Sequence, residues 1–276
     1  YYFYSGDREF VLEMKEALHR QAAWLRECID ADTGLIRGNP EPLIEWVPIG
    51  DREAAASLHA VYAQCRNNMM ALAAEIPELG LDAEVSVLPV PAIEEGVFMS
   101  DEAPLAAKML GYAGGYISDE SMNVFLNSYR LQDPVTPLSA YYLADCYSAF
   151  GMHDKAWEVI DAVWGKMIRH GATSFWECVK LEHAGDFHDA LTTYKAYGSY
   201  RVSLCHAWSS TPVRWMSRYV LGVEPLEAGC RTISFAPHAI AGLNECRGTV
   251  STPHGPVRVQ WKRNECGDLD AVIEVP

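Results

Sequence analysis

The hydrophobic pattern of this chain changes period once, at Gly222, and that change constrains the fold more than any other feature. Before it, apolar residues recur at helical spacing; after it, short runs alternate. Residues 7–28 place Phe10, Val11, Met14, Leu18, Ala22 and Leu25 on one stripe, and Gly34 follows in the turn DADTG. Residues 53–76 repeat the pattern with Leu58, Val61, Tyr62, Cys65, Met69 and Leu72. Further helices are predicted over about 102–112, ending at Gly114–Gly115, and over roughly 119–129. A helical hairpin comes next. Thr136 is placed to cap a helix whose first residue is Pro137, and Gly151 closes that helix. Asp154 opens its partner, which carries Val159, Ile160, Val163, Met167 and Ile168 before Gly171. Thr211–Pro212 starts a last helix with Val213, Met216 and Val220 inward.

After Gly222, VEPLEAG reads as a linker, and RTISFAP, RGTVST, PVRVQWKR and DAVIEV read as strands of an antiparallel β domain. Residues 30–52 and 171–209 hold Pro, Gly, Trp and His without helical period. Long loops of this kind between helices are where function concentrates. No Met or signal-peptide pattern opens the chain, and it stops in what reads as a strand, so we expect a piece of a longer polypeptide.

Charge narrows the partners. The formal net charge is −15, from 37 acidic and 22 basic side chains. A surface that tracks nucleic acid or anionic lipid needs the opposite balance, so neither nucleic acid nor membrane is expected as a partner. No apolar run is long enough to span a bilayer. Aromatic residues make up 11% of the chain, which suits sugar-stacking surfaces as well as cores. None of the eight cysteines sits in a CxxC pair, so a zinc ribbon or redox motif is not indicated. Their spread favours a reducing, cytoplasmic setting.

Three clusters could carry chemistry. The first is GATSFWE, residues 171–177, where Glu177 follows Trp176. Glycoside hydrolysis needs two carboxyl groups, one to protonate the leaving oxygen and one to activate water or attack the sugar. An aromatic plane stacks on the sugar's C–H face and excludes water. From the heptad alone, Glu177 reads more simply as an exposed carboxylate at a helix start. The second cluster is SLCHAWSSTP, residues 203–212, with His206 beside Cys205 and two residues before Trp208. A lone His is more often a satisfied loop or core histidine. Cys205 and His206 make a poor nucleophile pair, because neighbours on extended backbone point to opposite faces. The third is EPLIEWVPIGDRE, residues 41–53, where Trp46 follows Glu45 and Asp51 is placed to cap the next helix. The segment HAGDFHD, residues 183–189, offers imidazoles and carboxylates in no recognisable metal-ligand spacing, so we expect a solvated loop, no metal and no cofactor.

Taken in order, GATSFWE, SLCHAWSSTPVRWMSRYVLG and the turn in TVSTPHGPVRVQW resemble the bacterial α-L-rhamnosidases of glycoside hydrolase family 78. The opening YYFYSGDREFVLEMKEALHRQAAWL, the segment IEWVPIGDREAAASLHAVYAQC and the hairpin PLSAYYLADCYSAFGMHDKAWEVIDAVWGKMIRH are similar to the same family. The resemblance covers nearly the whole chain. It implies a mainly α fold, with residues 1–222 forming part of an (α/α)6-barrel and residues 223–276 the start of a C-terminal β-sandwich domain. It also implies hydrolysis of terminal α-L-rhamnosides with inversion.

In that resemblance Glu177 corresponds to the general base, His206 to a sugar-contacting residue, and Trp46 to a wall of the rhamnose pocket, which Trp176 helps to line. The motif carrying the general acid is expected upstream of Tyr1, so this piece alone is expected to be inactive and to self-associate through an uncovered apolar flank. Ala207 stands where the family pattern has Gly. Two other readings stay open from sequence. One is another (α/α)-barrel glycosidase or a phosphorylase, for which Lys180 is the one nearby basic candidate. The other is a non-catalytic carbohydrate-binding protein on the same fold.

Overall fold

The computed structural model describes residues 1–30, 35–36, 50–132, 135–181 and 202–276. They are rich in helix, with two small antiparallel sheets near the C-terminus. The chain forms two compact units: Arg8–Arg130, and Tyr1–Asp7 together with Leu131–Pro276. The change of pattern at Gly222 therefore falls inside the second of these. Among the described residues no helix is long and apolar enough to cross a membrane.

In the unit Arg8–Arg130, the stripe predicted over 7–28 is two helices, Arg8–Glu13 and Lys15–Glu27, broken at Met14. Phe10 and Met14 are exposed, while Val11, Ala22 and Leu25 are buried. The long helix Asp51–Glu75 follows. Its cap is Gly50, not Asp51, which is the first helical residue. Its buried face is lined by alanines, among them Ala54, Ala56, Ala60 and Ala63, whereas Val61 points outward. Small side chains allow close approach. A Cβ on Gly114, at the end of helix Leu105–Ala113, would lie 3.0 Å from the Ala60 Cα. The predicted fourth helix is Asp119–Ser128, capped by Ser118. Three short helical pieces, Pro77–Leu79, Asp82–Ser86 and Glu95–Met99, had no counterpart in the sequence pattern. Lys108 is buried, and its ammonium donates to the carbonyls of Ser100 at 2.8 Å and Ala103 at 2.6 Å. Burial lowers its pKa from the ordinary lysine value.

In the other unit, the hairpin is built as its caps dictate. Helix Pro137–Ala149 begins with Pro, and the Thr136 hydroxyl accepts from the Ser139 amide at 3.2 Å. Gly151 turns the chain at φ +74°. The next helix starts at His153, one residue before Asp154, whose carboxylate instead accepts from the Ala241 amide at 2.7 Å. This helix runs through a π-turn, Asp161–Gly165, into Lys166–Arg169. Met167 stays inward but Ile168 is 70% exposed. The last helix, Pro212–Trp215, also passes into a π-turn, Met216–Val220, closed by a bond from the Leu221 amide to the Met216 carbonyl at 2.8 Å. Its buried face is Pro212, Trp215, Tyr219 and Val220. Val213 and Met216, expected inward, are exposed, because Trp215 and Tyr219 at i and i+4 take the covered side.

Strand β1 (Val223–Pro225) pairs antiparallel with β2 (Ile233–Phe235). The second sheet has the order β3 (Glu245–Thr252), β4 (Gly255–Arg263), β5 (Leu269–Glu274), all antiparallel. Strict alternation along β4 buries Val257, Val259 and Trp261 and exposes Arg258, Gln260 and Lys262. The buried face packs on the end of the last helix. Trp261 donates to the Val220 carbonyl, and a Cβ on Gly248 would strike the Leu221 side chain. None of the eight cysteines forms a disulfide.

Candidate active site

The two motifs that read as separate clusters are zipped together. The turn at Gly171 (φ +85°) ends the helix and releases residues 172–178 as irregular chain. The Glu177 amide donates to the Ser203 carbonyl at 2.8 Å, and the His206 amide donates to the Phe175 carbonyl at 2.8 Å. The Ser174 hydroxyl donates to the Leu204 carbonyl. These bonds lay GATSFWE antiparallel to SLCHAW. They pair loop backbone that has no helix or strand to satisfy it.

Glu177 is 7% exposed. Its Oε2 accepts from the Ser203 amide at 2.9 Å, so one residue meets both the backbone and the carboxylate of Glu177. The His206 Nδ1 lies 3.8 Å from the same oxygen. That is an ion-pair distance when the imidazole is protonated, and too long for a hydrogen bond. Trp208 completes the cage. Its indole N–H donates to the Glu177 main-chain carbonyl at 2.9 Å, and its ring centroid is 4.5 Å from that of His206.

Behind the carboxylate the support is buried. The Ser209 hydroxyl donates to the Trp176 carbonyl at 2.5 Å, and the Trp164 indole donates to the Ser209 carbonyl at 2.8 Å. Ser209 and Trp164 are buried. Trp176 is 3% exposed, so its ring packs beneath the loop and leaves little face for a sugar. His206 is partly exposed beside Glu177. Cys205 is exposed, and the Ser203 hydroxyl bridges its backbone, which leaves it apart from the His206–Glu177 pair. Trp46, Glu45 and the segment HAGDFHD lie outside the described residues. Among the described residues no group of three or more His, Cys, Asp or Glu could hold a metal ion.

The motifs pointed to Glu177 and His206, but not to what holds them. The Ser203 amide has no side-chain signature. Trp208 was visible only as an aromatic two residues past His206, and Trp164 reads as one more apolar residue of its helix.

A buried carboxylate, oriented by an amide and standing beside an imidazole on loops between helices, has the makings of the acid–base site of a helical glycosidase. The comparisons give that class a particular kin. Residues 222–276 match the family described as the bacterial alpha-L-rhamnosidase C-terminal domain. An alpha-L-rhamnosidase of Formosa agariphila is 30% identical over 115 residues, 40% of this chain and 11% of that protein. The structure of Streptomyces avermitilis alpha-L-rhamnosidase, complexed with L-rhamnose, superposes with a TM-score of 0.73 at 16% identity, covering 100% of this chain and 27% of the other. The alpha-L-rhamnosidase of Dictyoglumus thermophilum superposes with a TM-score of 0.65 at 16% identity, covering 100% of this chain and 32% of the other. The resemblance to bacterial α-L-rhamnosidases, which are glycoside hydrolases, is thus borne out, and the chain spans a third or less of the length of these relatives.

Proposed function

We propose that this chain is the C-terminal part of an enzyme that hydrolyses terminal α-L-rhamnosides with inversion of configuration, with Glu177 as the general base. In this reading the helical residues belong to an (α/α)6-barrel and residues 223–276 to a β-sandwich. The observation that supports it most is the cage around Glu177. The Ser203 amide fixes one carboxylate oxygen, the Trp208 indole fixes the backbone, and His206 flanks the group.

Inversion is a single displacement. A water O–H gives its proton to Glu177 as the water oxygen bonds to the anomeric carbon. The bond from that carbon to the leaving oxygen breaks, and a general acid outside this chain supplies the leaving oxygen with its proton. The carboxyl groups of such a pair stand about 6.5–9.5 Å apart, leaving space for the water. His206 and Trp46 contact the sugar; Trp176 underpins the loop.

The test is Glu177→Gln in a catalytically complete enzyme that contains this chain. The variant should bind substrate while turnover of an aryl α-L-rhamnoside falls by about 10³-fold or more. Near-normal turnover would overturn the assignment.

A further inference from the structure

The two oxygens of Glu177 are not equivalent. Oε2 accepts the Ser203 amide and faces His206, whereas Oε1 takes no hydrogen bond among the described residues. An oxygen already engaged by a donor is the weaker proton acceptor. The side chain must therefore be held in one orientation for Oε1 to face a reacting water. Ser203 cannot do this alone, because its hold is mutual with the backbone of Glu177: if the loop slides, both bonds slide together.

Trp208 is the side chain that references this pair to the protein interior. Its indole N–H reaches the Glu177 carbonyl at 2.9 Å. The next residue, Ser209, is fixed by its hydroxyl to the Trp176 carbonyl and by its carbonyl to the Trp164 indole. The same Trp208 ring lies against His206, at 4.5 Å between centroids and 49° between planes. One side chain thus touches both the backbone of the carboxylate-bearing residue and the imidazole beside it.

Resting on the assignment of Glu177 as base, we propose that Trp208 is the positioning residue of the site: it holds Glu177 so that Oε1, not Oε2, receives the proton from water. A displacement of about 1 Å at a reacting group lowers rate by roughly 10²-fold, which sets the scale of what Trp208 controls.

The test is a double-mutant cycle in the complete enzyme. Trp208→Phe removes the indole donor and keeps an aromatic ring against His206. It should lower kcat about 10–100-fold with KM changed by less than about threefold. In a Glu177→Gln background the same substitution should lower kcat by less than about twofold further, because its effect passes through the carboxylate. Replacement of Trp208 by 3-benzothienylalanine, which keeps the bicyclic shape without the N–H, serves as the second variant if Phe packs poorly, and should reproduce the loss.

Retained kcat in either variant, or losses that multiply in the double variant, would overturn the proposal and reduce Trp208 to a staple of the fold. If Glu177→Gln alone retains turnover, the assignment of the base fails instead, and the two failures are told apart by that single variant.

Discussion

The indole N–H of Trp261, on the middle strand of the C-terminal sheet, donates to the main-chain carbonyl of Val220 at 2.7 Å, and the Trp261 side chain is completely buried. The carbonyl belongs to the last turn of the helix that precedes the sheet, so one bond and one large apolar surface join the two. Trp261→Phe should cost about 1–2 kcal/mol, from the lost hydrogen bond and a smaller ring, and Trp261→Ala about 3–5 kcal/mol. Equilibrium denaturation in urea measures both. A loss under about 1 kcal/mol for Ala would show that the sheet does not depend on this contact.

Gly222 stands at the same junction with φ +75°, and a Cβ there would lie 2.1 Å from the Pro237 nitrogen and 2.4 Å from the Ala236 carbonyl carbon. Neither backbone atom can move aside like a side chain. Gly222→Ala should destabilise by at least about 2 kcal/mol, read from the same denaturation curves.

Asp145 gathers a charged network between two helices. Its carboxylate accepts from the Tyr219 hydroxyl at 3.1 Å and lies 3.4 Å from Arg218 and 3.8 Å from Arg214. Arg214 also donates to the Tyr141 hydroxyl, and Arg218 pairs with Glu224 at 2.8 Å. Burial, reinforced by the Asp145 charge, pushes the Tyr219 phenol well above its ordinary range. Asp145→Ala takes the carboxylate from Arg214 and the hydrogen bond from the Tyr219 hydroxyl, while Arg218 keeps Glu224, and should cost about 1–3 kcal/mol. Thermal unfolding of the variant tests this; an unchanged midpoint would contradict it.

The imidazoles of His153 and His238 stack at 3.8 Å between ring centroids, with Tyr219 against both. Burial lowers the pKa of each; for His153 the neighbouring His238 adds to the effect and Asp154 opposes it. A lowered folded-state pKa means that the neutral rings favour the fold. Their contribution is complete above the unfolded value of about 6.5 and is lost as pH falls through the lowered folded values. The unfolding midpoint should therefore drop on going from pH 7 to pH 5, and His238→Gln should flatten that slope. A slope of the opposite sign would refute this.

In the unit Arg8–Arg130 the sign reverses. His19 bonds Glu84 at 2.9 Å and the Leu79 carbonyl at 2.9 Å. The hydrogen bond to Glu84, followed by that to Leu79, raises its pKa. This contribution is full below about pH 6.5 and is lost as pH rises through the raised value. His19→Gln should remove stability at pH 5.5 and much less at pH 8. Equal losses at the two pH values would show that the charge is irrelevant.

Much of this fold was legible where local chemistry decides it. Thr136, Pro137, Gly151 and Gly171 mark helix ends because capping and positive φ are properties of single residues. The alternation of β4 showed its buried side directly. The pieces Asp82–Ser86 and Glu95–Met99 were not legible, because five residues carry too little periodicity to register. Val213 and Met216 misled because an apolar residue declares its type but not its face, and Trp215 with Tyr219 outbid them for the interior. At the site, Glu177 and His206 were visible as residue types beside tryptophan. Their meeting was not, since the pairing of residues 175–177 with 203–206 is set by backbone hydrogen bonds that any side chains would allow.

The two π-turns bear on how this chain should be aligned with its relatives. Each is equivalent to one residue inserted into an α-helix, and one residue is about 100° of rotation. The first, Asp161–Gly165, lies just ahead of the loop bearing Glu177; the second, Met216–Val220, lies just ahead of the sheet. An alignment that forbids single-residue gaps inside helices will match inward residues here to outward residues in a relative with an unbroken α-turn, from each turn to the helix end. Deleting one residue, such as Ala162, converts the prediction into an experiment: if the helix reverts to α-register, Trp164 swings away from Ser209 and the loop beyond loses its anchor.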